Sequence, residues 1–456
     1  MKYELENGWN KFADKEAVFK FSEGYKEFLN TAKTERESAL TAVKLARSKG
    51  FKDISECETL KAGDKVYSLN RDKSIILAII GSVPMEQGTN IVGSHIDAPR
   101  LDLKQNPLYE EAEFAFFKTH YYGGIKKYQW TALPLALHGV IVKANGEKVS
   151  VRIGDETDDV TFVITDLLPH LAQEQMKKNA SEVVEGESLN LLIGSMPCGG
   201  DEEKEKVKAN ILSILAEKYN IEEEDFISAE LEIVPAANAK DVGFDRSLIG
   251  AYGHDDRVCA YPNLMALLDS ENCKKTAICL LSDKEEVGSM GNTGAKSNFL
   301  KLTIMELMEK TGEGASQLKL LRCLNNSFCL SADVSAAFDP NYASVYEKRN
   351  SGRVNYGITV CKYTGARGKS GSSDASAELM AKVRRLFNEN GVLWHTAELG
   401  KVDGGGGGTI AQYMANLGIE TIDCGVSVLS MHSPYEVIAK LDLYMTYKAF
   451  HAFFND

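Results

Sequence analysis

NIVGSHID, residues 90–97, is an apolar run that stops on an imidazole and a carboxylate, His95 and Asp97. Its shortness and lack of polar alternation read as a strand buried on both faces. Other runs stop in the same way. TAICLLSD (276–283) leads into Glu285 and Glu286, and NSFCLSAD (326–333) ends on Asp333. GHDDR (253–257) presents Asp255 and Asp256, and SMHSPYE (430–436) presents His432. A buried strand that ends on a ligand-type residue delivers it to the carboxyl edge of a sheet, where open α/β folds keep their sites. Histidines and carboxylates without cysteine form the donor set of a water-activating metal centre.

Outward from that run, SIILAIIG (74–81) reads as a neighbouring buried strand, and ITVCKYTG (358–365) and IETIDCGV (419–426) as later ones. Helical periodicity precedes them at 13–49 and separates the later runs at 258–270, 298–310 and 374–390. Doubly buried strands alternating with helices predict an α/β fold with a mainly parallel sheet flanked by helices. The stretch 102–245 has a different texture. It alternates polar and apolar residues in HGVIVKANG (138–146), KVSVRIGD (148–155) and DDVTFVITD (158–166). A charged helical run at 201–225 follows, its apolar side at Ile211, Leu212, Ile214 and Leu215. Ligand-type residues flank this stretch on both sides. The 456 residues therefore read as a catalytic domain (1–101 and 246–456) interrupted by a smaller, strand-rich inserted domain at 102–245.

A net charge of −13 argues against nucleic acid or an anionic membrane surface as partner. The nine cysteines form no CxxC pair, and several lie inside strand-like runs, the pattern of buried, reduced thiols. The start MKYELENGWNKF lacks the basic and apolar parts of a signal peptide, and no apolar run reaches the length of a membrane span. These features predict a cytoplasmic protein.

Two cations held close together need a carboxylate that bridges them. Asp255, with Asp256 beside it, fits that role. In a Glu-Glu pair such as 285–286, one carboxylate can bind metal while its neighbour serves as base toward the attacking water. Asp97 stands two residues beyond His95, close enough to fix the tautomer of the ring. The glycine run in KVDGGGGGTIA (401–411) is not followed by GK[ST], so it is no phosphate loop; it reads as backbone passing close to the site.

Taken together, GSHIDAPRLDLK, DLLPHLAQ, LIGSMP, GHDDRVCA, EEVGSMG, SADVSAAFDPNY and SMHSPYE resemble, in order and along nearly the whole chain, the M18 metallopeptidases, the family of aspartyl aminopeptidase and aminopeptidase I. The resemblance implies a metal-dependent aminopeptidase acting on peptides with a free amino terminus. It implies two divalent cations per subunit, zinc first, with cobalt or manganese as alternatives. His95 and Asp333 would hold one cation and Glu286 and His432 the other, with Asp255 as the bridge, followed by a cis peptide. Glu285 would be the general base and Asp97 would orient His95. His170, in DLLPHLAQ, would reach a neighbouring subunit's site to stabilise the oxyanion. The inserted domain would form dimers that assemble into a hollow tetrahedral dodecamer. YYGGIKKYQWTALPL (121–135) and KYTGARGKSGSSDASAE (362–378) depart from the family's form, so the preferred amino-terminal residue is left open. Lys362, Arg367 and Lys369 are candidates for contacting a substrate carboxylate. Two other functions remain: a related two-metal carboxypeptidase or amide deacylase, which would anchor a carboxylate rather than an amine, and a catalytically silent shell protein.

Overall fold

In the computed structural model, which describes residues 5–155, 160–199 and 204–456, Asn90–His95 lies inside a nine-stranded sheet. In chain order its strands are β1 (Lys52–Asp53), β2 (Lys65–Asn70), β3 (Ser74–Ile79), β4 (Asn90–His95), β5 (Ala277–Ser282), β6 (Phe328–Ser331), β7 (Ile358–Cys361), β8 (Trp394–Thr396) and β9 (Glu420–Gly425). Across the sheet they run β1-β2-β3-β5-β4-β6-β9-β7-β8. The centre, β5-β4-β6-β9, is parallel. However, β3 is antiparallel to both its neighbours, and β7 is antiparallel to β9. The sheet is thus mixed: five of its eight pairings are parallel, as expected, and three are antiparallel.

One cause is local. Arg71 and Asp72 adopt positive φ, and the short turn they make folds β2 back on β3 as a hairpin. A second departure follows from the crossover. SIILAIIG and NIVGSHID are not neighbours, because β5 pairs with β3 on one side and β4 on the other.

Apolar residues on both faces of the strands explain the layers. Ile75, Leu77 and Ile79 join a core with Tyr25, Ala39, Leu264, Phe387 and Phe450. Ile76 and Ala78 point the other way, into a core with Ile304, Leu320 and Met414. Strand side chains alternate faces, so an uninterrupted apolar run can serve two helical layers. The first layer includes α1 (Lys15–Thr31), α2 (Glu35–Ser48), α3 (His254–Leu268), α6 (Ala377–Glu389) and α8 (Lys440–Phe454). The second includes α4 (Phe299–Lys310), α5 (Gln317–Asn325) and α7 (Ala411–Asn416). Helix α2 starts on a capping box: the Thr34 hydroxyl accepts the Glu37 N–H at 3.1 Å, and the Glu37 carboxylate accepts the Thr34 N–H at 3.1 Å.

The chain divides into two compact units. The first comprises Met1–Ala98, Ala239–Met431 and Tyr435–Asp456; the second comprises Pro99–Asn238 and His432–Pro434. The second unit holds a six-stranded antiparallel sheet in the order Lys148–Ile153, Leu135–Val142, Ala229–Pro235, Arg100–Glu111, Phe114–Tyr122, Leu191–Gly194. DDVTFVITD is not one of these strands. Its described part makes only isolated bridges, Phe162 to Leu135 and Val163 to Leu192, and Asp158 and Asp159 lie outside the described residues. The charged run does contain a helix, Lys206–Tyr219, but only Val207 and Leu215 are buried along it.

In the first unit, Asp241 ties three elements together. Its Oδ1 lies 2.8 Å from the buried Lys440 ammonium and 2.9 Å from Lys26, and its Oδ2 accepts from Arg246 Nε at 2.7 Å. Lys440 has no exposure to water, so removing its counter-charge leaves an uncompensated buried cation. Asp241→Asn, which keeps one acceptor but no charge, is expected to lower unfolding stability by about 2 kcal/mol in urea titration. An unchanged midpoint would show that the ion cluster contributes nothing net.

Candidate metal centre

His95 is the last residue of β4, and its ring is fixed from behind. Nδ1 lies 3.0 Å from the Asp97 carbonyl oxygen and 3.2 Å from Asp97 Oδ1. Those acceptors favour a proton on Nδ1, which directs the Nε2 lone pair forward. In front of Nε2 stand Asp255 Oδ1 at 3.2 Å and Asp333 Oδ1 at 3.8 Å. Carboxylate oxygens and an imidazole lone pair aimed at the same space repel unless a proton or a cation lies between them.

Asp97 also shapes the base turn. Its Oδ1 accepts the Glu285 N–H at 3.1 Å and its Oδ2 accepts the Glu286 N–H at 3.2 Å. The turn, a single 3₁₀ segment Glu285–Val287 after β5, is entered through Lys284 and left through Gly288, both at positive φ. One buried carboxylate therefore holds the β4 histidine and both glutamates. The sequence predicted the first of these contacts but not the other two.

The GHDDR segment is held by groups that carry no obvious motif. His254 Nε2 donates to the Ile249 carbonyl at 3.1 Å, so Nδ1 accepts the Tyr25 hydroxyl at 2.8 Å; burial drops the His254 pKa to about 3, and the ring stays neutral. Asp255 N–H donates to Glu436 Oε2 at 3.1 Å, and the Asp255–Asp256 peptide is cis. Asp256 Oδ2 accepts the backbone N–H of His95 at 3.2 Å, which ties this turn to the end of β4. On β9, Gly425 passes so close that a Cβ there would lie 2.1 Å from the Asp333 carbonyl oxygen. Only glycine allows that approach.

Ligand atoms converge in two overlapping sets: one from His95, Asp256 and Asp333, the other from His95, Asp255 and Glu286, each within 4.8 Å. Four of the metal ligands named from sequence are thus brought together, and Asp256, seen there only as a neighbour of Asp255, joins them. Burial, reinforced by the Asp333, Asp97 and Asp255 charges against the opposing His95, lifts the Glu285 carboxyl to about 8. Burial and Asp333 hold Asp256 well above its ordinary value. Burial opposes a charged His95 ring, but Asp255, Asp333 and Asp97 outweigh it and raise its pKa. This is an excess of negative charge without water to screen it, the condition a divalent cation relieves. The donors suit zinc, cobalt or manganese.

The remaining sequence candidates are not members of these two sets. His432, at positive φ, belongs to the second unit, where its Nδ1 lies 2.8 Å from the Gly124 carbonyl oxygen. His170 is exposed on the second unit, in the 3₁₀ turn Pro169–Leu171. Lys362 and Lys369 both pair with Asp374, at 3.5 and 3.1 Å. The glycine run pairs with the segment Gly365–Ala366. Gly406 pairs with Ala366, and its own Cβ would meet the Gly365 carbonyl at 2.5 Å. Glu436 and Tyr25 were missed as supports; Glu436 could have been found as the last residue of SMHSPYE. All nine cysteines are free thiols.

A carboxylate–imidazole cluster at the carboxyl edge of the central strands, with a glutamate to spare beside it, defines a metal-dependent hydrolase. The family model described as aminopeptidase I zinc metalloprotease (M18) matches residues 28–454. A probable M18 family aminopeptidase 1 from Clostridium acetobutylicum is 53% identical over 459 residues, covering 99% of this chain and 98% of the relative. The crystal structure of an M18 family aminopeptidase from Thermotoga maritima superposes with a TM-score of 0.96 at 45% identity, covering all of both chains. The S. cerevisiae mApe1 dodecamer shares the fold at a TM-score of 0.78 and 23% identity, over 96% of this chain and 97% of that one. The chain belongs to the M18 family of zinc metallo-aminopeptidases.

Proposed function

We propose that this chain removes amino-terminal residues from peptides at a two-cation centre. The observation that carries the reading is the convergence of His95, Asp255, Asp333 and Glu286 ligand atoms beside a half-buried Glu285. His95 and Asp333 would hold one cation and Glu286 the other, with Asp255 available to both. His432 would be the imidazole of the second cation; because Nδ1 is engaged by Gly124, Nε2 is the nitrogen it would offer. When bound, the cations supply Lewis acidity, which polarises the scissile carbonyl and acidifies the attacking water. Asp97 holds His95 and the glutamate turn in register. Glu285 takes the proton from the attacking water and returns it to the leaving amine nitrogen, so the same carboxylate acts as base and then as acid. The substrate's free amine is anchored at the centre, which confines cleavage to the first peptide bond.

The chain is organised as a catalytic domain of residues 1–101 and 246–456 around an inserted dimerisation domain at 102–245, and its dimers build a tetrahedral dodecamer. In support, Leu167, Leu168, Leu171 and Met176 leave a large apolar area in water around His170, as expected of a surface that another copy covers. His170 then enters the neighbouring copy's site, where it donates to the developing oxyanion. Among the described residues no helix is long and apolar enough to cross a membrane. With the free thiols, this supports a cytoplasmic setting.

The test is hydrolysis of free and amino-blocked aminoacyl substrates (Asp, Glu, Leu, Met, Lys) by protein stripped with chelator and reloaded with zinc, cobalt or manganese. Metal-dependent release from unblocked substrates alone supports the reading. Cleavage of blocked substrates would move the chain to carboxypeptidase or deacylase chemistry, and silence with every metal would favour a shell protein. His170→Phe is expected to lower kcat by about tenfold to a hundredfold with metal content unchanged, the loss typical of one oxyanion donor. Unaltered kinetics would remove His170 from the mechanism.

A further inference from the structure

A cleft of about 830 Å³ lies along the β8 edge of the nine-stranded sheet. Among the described residues, strand β8 pairs only with β7, in parallel. Leu393 accepts from the Ile358 N–H and Ala397 donates to the Val360 carbonyl, so the backbone groups facing the sheet belong to the alternate positions 393, 395 and 397. Those of Trp394 and Thr396 therefore face away from the sheet, toward the cleft they line. The opposite wall is α6, through Met380 and Arg384. The Trp394 indole is pinned by its N–H to Asn388 Oδ1 at 2.9 Å, which leaves the ring as a fixed apolar platform.

The charge on this cleft runs against the protein as a whole. Lys11, Lys362 and Arg384 line it with one acid, Glu6, in a chain of net charge −13. Glu6 is paired with Lys11 at 3.5 Å and Lys362 shares Asp374 at 3.5 Å, but Arg384 has no ion pair among the described residues. An open strand edge beside an apolar wall with basic groups fits one kind of occupant. We propose that the β8 edge binds an extended acidic peptide segment of a partner polypeptide by strand addition. The occupant's backbone pairs with Trp394 and Thr396, one row of its side chains packs on Met380 and Trp394, and its carboxylates meet Arg384, Lys362 and Lys11.

The test is fluorescence anisotropy of the assembled protein with a labelled, amino-blocked peptide of alternating valine and glutamate, about eight residues long. The block keeps the probe from being read as a substrate. Saturable binding is expected, lost for the same peptide with lysine in place of glutamate and weakened about tenfold or more in Arg384→Glu. Arg384 is exposed and outside the metal centre, so the variant should keep wild-type aminoacyl hydrolysis, which shows that it is folded. No saturable binding, equal binding of the lysine peptide, or undiminished binding by a folded Arg384→Glu would overturn the proposal. So would an Arg384→Glu protein that changes oligomeric state in light scattering while the wild type ignores the peptide, because the edge would then belong to a second copy of the chain.

Discussion

Glu285→Gln is expected to keep its metal content and its assembly while kcat falls about a thousandfold, within the range general-base removal produces. The substitution is nearly isosteric and preserves the backbone N–H that donates to Asp97 Oδ1 at 3.1 Å, so the glutamate turn keeps its shape. It removes only the capacity to accept a proton. The surroundings explain why a carboxylate here can do so. Burial and the Asp333, Asp97 and Asp255 charges lift Glu285 to about 8 before any cation is considered. A bound cation lowers that value, so the working pKa is set by the opposition of the two, which is how a glutamate is tuned toward the operating pH. Metal analysis by mass spectrometry together with kcat on an unblocked substrate checks the result. A variant with appreciable turnover at full metal loading would remove the base role from Glu285; one that lost metal would recast it as a ligand.

Much of the central sheet was legible because its strands are buried on both faces. NIVGSHID, TAICLLSD and NSFCLSAD carry unbroken apolar runs, and β4, β5 and β6 lie within them. Strand direction was not legible. The runs of β3 and β7 look like those of parallel strands, because burial on two faces fixes composition and leaves polarity to the connections. In the same way, SIILAIIG and NIVGSHID are consecutive in sequence, but a strand nearly two hundred residues away lies between them. DDVTFVITD has strand composition without a continuous partner, and β propensity expresses itself only through pairing.

The donors of the centre could be read because each is a polar residue at the end of an apolar run. Of their supports only Asp97, beside His95 in sequence, could be read, because the others are defined by what they touch. Glu436 reaches the Asp255 N–H and Tyr25 reaches His254 across more than 180 positions of chain. Nothing in the local pattern of Tyr25 marks its contact, and Glu436 is marked only by its place at the end of SMHSPYE. The glycine run drew attention by composition, whereas Gly425 on β9, a lone glycine, is the one that passes against the Asp333 carbonyl.

Asp97→Ala is expected to weaken metal binding by about tenfold to a hundredfold, the usual loss when the partner of a ligating histidine is removed, and to depress kcat further in the metal-saturated protein. Two separate effects add. Without the carboxylate, Nδ1 of His95 loses its 3.2 Å partner and keeps only the Asp97 carbonyl at 3.0 Å, so the ring is held less firmly in the tautomer that presents Nε2. The N–H groups of Glu285 and Glu286 also lose their acceptor in a site with little water, and the turn that carries base and ligand is released. Asp97→Asn divides the two. It keeps an oxygen for one of these donors but sets an amide N–H against the other, so the turn should be perturbed even where the histidine is still held. Zinc affinity by chelator competition reads the first effect, and kcat at saturating zinc reads the second. Glu285→Gln moves only the second, so the two variants form a built-in contrast. Wild-type zinc affinity in Asp97→Ala would show that His95 needs no orienting carboxylate, and unchanged kcat at saturation would show that the glutamate turn holds its geometry alone.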